Sequence, residues 1–259
     1  MQVRPGFNMS PTREPLGFSY GEGSFGPQSE QRSLDSIRAS LRDPACVGPE
    51  WVYAISMDVG KAKHQALLKE KMLLFGAVTY ATGSLGREPI RSQGHIHRVS
   101  SHSGWSPPEI YEIWEGQAVI YIQDKAEKNA GRCIAVHAGP GEVVVVPPGL
   151  VHATINADPT QPMTFGAWCD REYGFEYDAL RGLKGIAYFP LLDQGGLAWE
   201  KNAAYEEAAP LLHKGPSDYS ALGIEKGIPI YEQFEKDPER FQFVSQPQLK
   251  KDVWDGFVP

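Results

Sequence analysis

The chain has 259 residues, of which 41% are hydrophobic and 22% charged, and its formal net charge at neutral pH is -7. A chain of this length can bury a sizeable core, and its acidic balance provides no basic surface for nucleic acid. No apolar run approaches transmembrane length, no signal-peptide pattern is present, and the three cysteines show no CxxC spacing. We therefore expect a soluble cytoplasmic protein that binds neither nucleic acid nor membranes.

The N-terminal part of the chain predicts an extended arm followed by one short helix. Residues 1–32 are rich in glycine and proline and show little periodicity, which is typical of a segment that packs over a surface. Within residues 33–42, Leu34 and Ile37 recur at helical spacing, and the leading serine can cap the helix. Residues 61–71 are compatible with either a helix or a mobile connection.

The middle of the chain is typical of short β-strands separated by turns. Apolar runs flank Glu115-Gly116, which predicts a hairpin, and others flank Gly139-Pro140-Gly141, which predicts a second tight turn. Short strands at this spacing predict an antiparallel sandwich or barrel, and no GxGxxG or P-loop motif indicates a nucleotide-binding fold. The predicted strands are 51–57, 73–82, 89–97, two runs within 110–124, then 132–137, 142–146, 151–156, 163–169 and 185–190.

The last part of the chain predicts helices, and its sequence contains no motif that indicates a catalytic or binding site. After Leu197 the composition shifts to alanine, glutamate and lysine, which favours helices at 202–213 and at 231–241, the second broken by Pro238. Trp254 and Phe257 predict a tail that docks against an apolar surface.

Four residues in the middle region predict a metal site. His95 and His97 are separated by one residue, so their side chains point the same way on a strand. Glu109 and His152 lie on later predicted strands and can converge with them on one ion. Three neutral imidazoles and one carboxylate suit Fe(II), Mn, Ni or Zn and leave a position open for water or substrate.

Alternative ligands are present nearby. Glu112 is a second carboxylate on the strand of Glu109, but its opposite pleat parity prevents both from facing one metal. His102 is a substitute ligand only if its loop folds over the site, and a solvated loop histidine is the simpler interpretation.

The region around these residues resembles the cupins. Residues 141–156 fit the second cupin motif, which is glycine, five residues, Pro-x-Gly, two residues, histidine, three residues and asparagine. Glu109 and Gly116 fit the end of the first motif, and His95-x-His97 fits its metal pair. The resemblance implies an all-β cupin double-stranded β-helix, or jelly-roll, barrel with short flanking helices and terminal extensions. We expect an arm and short helix in 1–50, the barrel in 51–200 and an extension of unknown role in 201–259.

Within the cupins, the sequence is similar to the cupin-type, or archaeal-type, phosphoglucose isomerases. The similar stretch runs from about Pro15 to about Asn202 and includes residues 92–97, 109–111 and 152–156. The resemblance implies interconversion of glucose 6-phosphate and fructose 6-phosphate by a homodimer that uses one Fe(II) or similar divalent metal per subunit.

The same resemblance implies roles for particular residues. The implied ligands are His95, His97, Glu109 and His152; the implied catalytic residues are Glu109 and Tyr111; and the implied substrate-binding residues are Ser92, Gly94, Thr79 and Tyr173. Ser92 and Gly94 would lie near the phosphate, and Tyr111 and Tyr173 would line the sugar site.

Several positions depart from the family pattern. The connection between the histidine pair and Glu109 is longer than usual, and residues 98–108 therefore predict a mobile flap at the site mouth. Cys169 and Arg171 stand where the family has tyrosine and histidine, and Val78 aligns with a family threonine, with Thr79 beside it.

These departures leave three other functions open. They are isomerisation of another sugar or sugar phosphate, a cupin dioxygenase activity, and a non-catalytic role as a sugar sensor. For an isomerase, proton transfer through an enediol and a hydride shift between the carbons both remain possible routes.

Overall fold

The structure is a computed structural model that describes residues 5–259, and most of its regular structure is β-strand. The strands are β1 (Met9–Arg13), β2 (Leu16–Tyr20), β3 (Ser24–Phe25), β4 (Glu30–Ser33), β5 (Trp51–Met57), β6 (Gly60–Lys61), β7 (Leu73–Tyr80), β8 (Ser84–Leu85), β9 (Glu88–Pro89), β10 (Ile96–His97), β11 (Glu109–Glu115), β12 (Ala118–Gln123), β13 (Cys133–Ala138), β14 (Val143–Val146), β15 (Val151–Asn156), β16 (Met163–Asp170), β17 (Phe175–Glu176), β18 (Tyr188–Asp193), β19 (Gly196–Lys201) and β20 (Leu212–Lys214). The α-helices are α1 (Leu34–Ile37), α2 (Gln65–Glu70), α3 (Asp178–Gly182), α4 (Ile230–Lys236), α5 (Gln242–Ser245) and α6 (Lys251–Trp254). None of the helices in this part of the chain is long and apolar enough to span a bilayer.

Two sheets face each other and enclose the core, and their strands pair antiparallel except β13 with β20. The larger sheet has the order β14-β11-β16-β7-β5-β4, and the smaller has the order β15-β12-β13-β20. Side chains from both inner faces, such as Tyr80 and Phe165 from the larger sheet and Ile120 and Val136 from the smaller, form one buried cluster. This arrangement confirms the predicted cupin jelly roll.

Strands β7 and β16 are buried along their whole length, on both faces. Their inner faces contact the barrel core, and their outer faces are covered by the C-terminal segment, where Trp168 packs against Tyr231, Phe234 and Phe241. A strand covered on both sides needs no polar face, which explains why these sequences are apolar without alternation.

The hairpin predicted at Glu115-Gly116 is wrong, because the chain crosses between sheets there. Strand β11 pairs with β14 and β16 in the larger sheet, whereas β12 pairs with β13 and β15 in the smaller. Gly116 has a φ of +79°, and a Cβ at this position would collide with the carbonyl of Pro162. The glycine correctly indicates that the chain turns here. Which strands pair depends instead on packing in the core that the two sheets share.

The helix predicted at 202–213 is also wrong. This segment is extended and ends in β20, which pairs in parallel with β13. Glu207 and Ala209 donate backbone hydrogen bonds to the loop that precedes β13, and the side chain of Tyr205 is buried. Pairing with an open sheet edge therefore overrides a helix-favouring composition.

Other local predictions are confirmed. Ser33 caps α1 by accepting a hydrogen bond from the backbone N of Ser36 at 3.3 Å. Segment 231–241 contains α4 and a 3₁₀ turn that begins at Pro238. Of the two alternatives left open for 61–71, the structure shows the helix, which is α2. The tail docks as predicted, since Trp254 packs on Phe243.

Candidate metal centre

Four side chains meet inside the barrel, one from each main sheet and two from the segment around β10. His97 lies on β10, Glu109 begins β11 and His152 lies on β15, and His95 is linked to His152 by reciprocal backbone hydrogen bonds of 3.0 Å. Each of these four side chains offers a ligand atom, and the four atoms all lie within 4.8 Å of one another. The structure thus brings together the residues that the sequence predicted as ligands.

The segment before His95 is an interrupted strand, and the interruption shapes the site. The predicted strand 89–97 consists of two short strands joined by irregular pairing with β15, in which Ser92 Oγ accepts a hydrogen bond from the backbone N of Thr154 at 3.0 Å. Gly94 follows with a φ of +86°. This left-handed residue turns the chain so that His95 and His97 both face inward.

Hydrogen bonds to backbone carbonyls fix the tautomers of two imidazoles. His97 Nδ1 lies 2.9 Å from the carbonyl of Pro107, and His152 Nδ1 lies 3.1 Å from that of Leu150. Since a carbonyl can only accept, both Nδ1 atoms must carry the proton. Each Nε2 therefore faces the cluster, where a neutral ring presents a lone pair that can bind a metal.

The buried nitrogens fit a metal. His95 Nε2 and His97 Nε2 are buried and have no hydrogen-bond partner among the described residues; His97 Nε2 lies 3.3 Å from Glu109 Oε2 but is not aligned for a hydrogen bond. Burying an unpaired polar atom costs free energy, and coordination to a cation would remove that cost. Three imidazoles and a carboxylate suit one divalent transition metal.

Both oxygens of the Glu109 carboxylate have donors. Tyr111 donates its hydroxyl to Oε2 at 2.6 Å, and the Cys169 thiol donates to Oε1 at 3.2 Å. Burial alone would raise the pKa of Glu109, but the imidazoles of His152 and His97 outweigh it and hold the pKa well below its ordinary value. The carboxylate is therefore ionised at neutral pH and fixed in orientation.

The imidazoles differ in their tendency to bind protons. Burial lowers the pKa of His152 and lowers that of His95 well below its ordinary value, so both are neutral at pH 7. Burial also acts to lower the pKa of His97, but the adjacent Glu109 carboxylate raises it to a greater extent. His97 is thus the imidazole most in need of losing a proton before it binds a metal.

A small cavity of about 50 Å³ adjoins the cluster. Its walls are mainly aromatic, with a few hydroxyl and amide groups, and Glu109 is the only carboxylate that the described part of the chain contributes. The residues that define its character are Tyr80, Tyr111, Phe175, Tyr177, Ser92 and Gln93. An apolar wall with few convergent polar groups is typical of a site for a small ligand.

The predicted substrate-binding residues divide into two groups. Ser92, Gly94 and Tyr111 line the cavity as expected. Thr79 does not, since its hydroxyl lies on the outer face of β7, where it accepts from Arg13 at 2.7 Å. The neighbours Val78 and Tyr80 face the cavity instead. The prediction therefore assigned Thr79 to the wrong face of β7, because adjacent residues of a strand point to opposite faces.

Tyr173 and the alternative ligands lie outside the cavity. Tyr173 is 39% exposed, and its ring packs on Phe175 with the centroids 5.5 Å apart. Glu112 faces the opposite side of β11, as its parity predicted, and His102 is exposed in the 98–108 loop.

The 98–108 loop is anchored rather than free. Glu172 accepts hydrogen bonds from Ser101 Oγ at 2.7 Å and from the backbone N of His102 at 3.0 Å. At the end of the loop, Pro107 supplies the carbonyl that orients His97. The loop therefore also orients a candidate metal ligand, and its movement as a flap stays a prediction.

Sequence reasoning missed the aromatic walls of the cavity. Tyr53 and Tyr80 stack with their centroids 5.0 Å apart, and Tyr80 is hydrogen-bonded to Thr154. The rings of Phe175 and His95 pack with their centroids 4.5 Å apart, and the Tyr177 ring packs on Phe175. Strand parity alone places Tyr80 on the same face of β7 as Val78, which was a usable signal for the first pair, but the second pair follows an irregular loop that carries none.

Comparisons with known proteins give a consistent family. The model of a family described as glucose-6-phosphate isomerase matches residues 30–207. A protein of Thermococcus kodakarensis named glucose-6-phosphate isomerase is 27% identical over 139 residues, which is 54% of this chain and 68% of that protein. A protein of Rhizobium meliloti named putative glucose-6-phosphate isomerase 1 is 26% identical over 129 residues, which is 50% of this chain and 55% of that protein. Among solved structures, one of oxalate oxidase is 19% identical, covers 48% of this chain and 53% of its own, and has a TM-score of 0.34.

Proposed function

This chain belongs to the glucose-6-phosphate isomerase family, and we propose that it interconverts glucose 6-phosphate and fructose 6-phosphate inside its barrel. The observation that carries the proposal is the convergence of His95, His97, Glu109 and His152 beside a cavity that Tyr111 also lines. The family match covers every one of these residues. The relatives' names supply the substrate, and the cluster supplies chemistry that such a reaction can use.

We propose that these four residues hold one divalent metal per chain, most simply Fe(II), with Mn, Ni and Zn as alternatives. Neutral imidazoles and a carboxylate suit all four ions, and the cavity leaves room for substrate oxygens beside them. When bound, such a metal supplies Lewis-acid stabilisation of negative charge on neighbouring sugar oxygens.

Isomerisation requires one proton to move between C1 and C2 while the carbonyl and hydroxyl exchange places. In our proposal Glu109 removes the proton from one carbon and returns it to the other. Its low pKa makes it a weak base but keeps it ionised. Burial, together with Glu109, keeps the pKa of Tyr111 well above its ordinary value, so the Tyr111 hydroxyl remains a proton donor. Tyr111 can then hold either the carboxylate or a substrate oxygen.

A hexose phosphate is larger than the cavity, so its binding requires the mouth to widen. Phe175 and Tyr177 are the rings at this side, and they follow an irregular loop after β16. We propose that movement of the Phe175 ring admits the sugar while Tyr177 keeps its position. The enzyme in this proposal is a cytoplasmic homodimer, as the family resemblance implies, and light scattering of the purified chain measures its oligomeric state.

The reaction is tested with a coupled assay on fructose 6-phosphate after metal loading. Glu109→Gln removes the base and a metal ligand, so turnover should fall by orders of magnitude. Deuterium at C2 of glucose 6-phosphate then distinguishes the routes: loss to water supports proton transfer by Glu109, and full retention at C1 supports a hydride shift. Absence of turnover with either hexose phosphate in the metal-loaded wild type would contradict the isomerase proposal, and oxygen uptake would instead indicate a dioxygenase.

A further inference from the structure

We propose that Arg181 is the cation that anchors the phosphate of the substrate, an inference that rests on a sugar phosphate occupying the cavity. Arg181 lies on α3, outside the residues that line the cavity, and no part of the family resemblance points to it. In this proposal Arg181 makes the site bind phosphorylated sugars more tightly than unphosphorylated ones.

The charges around the cavity create the need for such a residue. Among residues 5–259, the only charged side chain other than the imidazoles that lines the cavity is the negative Glu109 carboxylate. A metal at the cluster would act on the C1 end of the sugar, which leaves the distant phosphate among aromatic rings and neutral polar groups. A phosphate dianion is poorly accommodated there unless a cation supplies charge-assisted hydrogen bonds.

Most of the arginines near the site are already paired. Arg98 binds Glu176 at 2.7 Å, Arg171 binds Asp58 at 2.7 Å, and Arg32 binds Glu30 at 2.6 Å. Buried Arg91 is likewise paired with Glu88 at 2.6 Å. Arg181 has no carboxylate partner within ion-pair distance among the described residues.

Arg181 is exposed, and two contacts hold its guanidinium against residues that line the cavity. Its Nε donates to Gln93 Oε1 at 3.1 Å, and its Cζ lies 5.1 Å from the ring centroid of Tyr177. Gln93 and Tyr177 both line the cavity. These contacts use Nε and one face of the guanidinium, so both terminal NH₂ groups remain available for the bidentate binding that suits phosphate.

The position of α3 relative to the metal ligands is fixed by packing. A Cβ on Gly94 would lie 3.4 Å from Leu180 Cδ1, which places α3 directly against the turn that precedes His95. The Tyr177 ring also lies 6.2 Å from the ring of His95. Arg181 is therefore one aromatic ring away from a metal ligand, and a sugar that extends from the metal can reach it along this wall.

The test compares binding and turnover in the metal-loaded full chain, in Arg181→Ala and in Lys184→Gln. Lys184 is an exposed control that removes the same charge close to α3 but has no described hydrogen bond to Gln93 or Tyr177. Calorimetry measures the dissociation constant of sorbitol 6-phosphate, which lacks a carbonyl and is not isomerised. We expect Arg181→Ala to weaken its binding by about 10- to 100-fold and the control to change it by about twofold or less.

With fructose 6-phosphate, the same variant should raise KM by a similar factor and leave kcat nearly unchanged, because the anchor is remote from C1 and C2. Arg181→Lys keeps the charge but not the planar fork, and it should recover part of the affinity. A wild type that fails to isomerise either hexose phosphate would contradict the proposed function, while loss of sorbitol 6-phosphate binding in Arg181→Ala would still support the anchor. Equal binding of sorbitol 6-phosphate by wild type and Arg181→Ala, or no binding by the wild type, would overturn it.

Discussion

The two faces of strand β11 each bury a glutamate, and the surroundings shift the pKa values of the two carboxyl groups in opposite directions. Glu109 faces the barrel interior, where imidazoles and two hydrogen-bond donors hold its pKa well below the ordinary value. Glu112 faces the outer layer, where it accepts from Trp114 Nε1 at 2.8 Å and from the backbone N of Ile230 at 3.1 Å. Burial there raises its pKa to about 7.

The difference shows what turns a buried carboxylate into a functional one. Both residues are less than a tenth exposed, so burial does not distinguish them. The inner carboxylate is surrounded by groups that can share a cation and adjoins a cavity. The outer one joins the barrel to α4 and is covered by aromatic side chains, with no cavity-lining role. We therefore expect changes on the inner face to act on metal and turnover and changes on the outer face to act on stability.

The strongest test of the inner face is His152→Ala. This variant removes one ligand from the centre of the cluster, whereas the strands that close the barrel keep their pairing, so metal content should drop to near zero while the fold persists. Elemental analysis of the purified protein measures the metal, and circular dichroism checks the fold. His137→Ala, at an exposed position on β13, is the matched control and should keep its metal. Full metal occupancy in His152→Ala would refute the ligand assignment.

The corresponding test of the outer face is Trp168→Ala. The indole is fully buried and contacts Phe75, Tyr231 and Phe241, so its removal should lower the free energy of unfolding by about 3–5 kcal/mol. Urea denaturation measures this loss. Metal content per folded chain should remain at the wild-type level. Loss of metal together with stability would show that the two faces are not independent.

A third test uses pH. Glu112 is ionised above about pH 4.5 in the unfolded chain but only above about pH 7 in the folded one, so the unfolded state binds fewer protons between these values. Stability from this group is therefore complete below pH 4.5 and is lost as the pH rises towards 7, with a total effect on the order of 3 kcal/mol.

The neutral variant Glu112→Gln removes this titration. As the pH rises from 4.5 to 8, the unfolding free energy of the wild type should fall relative to that of the variant. Above pH 8 the difference between them should stay constant. Denaturation curves at several pH values measure it. A difference that does not change with pH would mean that Glu112 keeps its ordinary pKa.

The sequence predicts much of the inner face, because strand parity and motif spacing are local. The alternation of side chains places Glu109 and Tyr111 on one side of β11 and Glu112 on the other without knowledge of the fold. The sequence does not predict which sheet each strand joins, since the crossing at Gly116 depends on distant partners. Likewise, Thr79 could be assigned to the wrong face because a one-residue shift in alignment reverses every side chain. The sequence predicts that the tail docks on an apolar surface, but it does not predict that this surface is the outer face of β7 and β16, because the barrel must form before that face exists.

The smallest effect that we expect concerns Cys169, which stands where the family resemblance implies a tyrosine. Its thiol donates to Glu109 Oε1 at 3.2 Å, and burial keeps its pKa well above the ordinary value, so the proton remains on sulfur. Cys169→Ala removes a weak donor to a charged oxygen, and metal affinity should fall by about 3- to 10-fold.

Cys169→Ser retains a donor of similar size and should restore most of the affinity, and Cys133→Ala, a buried thiol in the smaller sheet, should leave it unchanged. Competition with a chelator measures all three. The absorption of the Co(II)-substituted protein reports whether the ligand geometry alters. An unchanged affinity in Cys169→Ala would mean that Tyr111 alone orients the carboxylate. The side chain at position 169 would then contribute nothing to metal binding, which would explain why a cysteine is tolerated where the family resemblance implies a tyrosine.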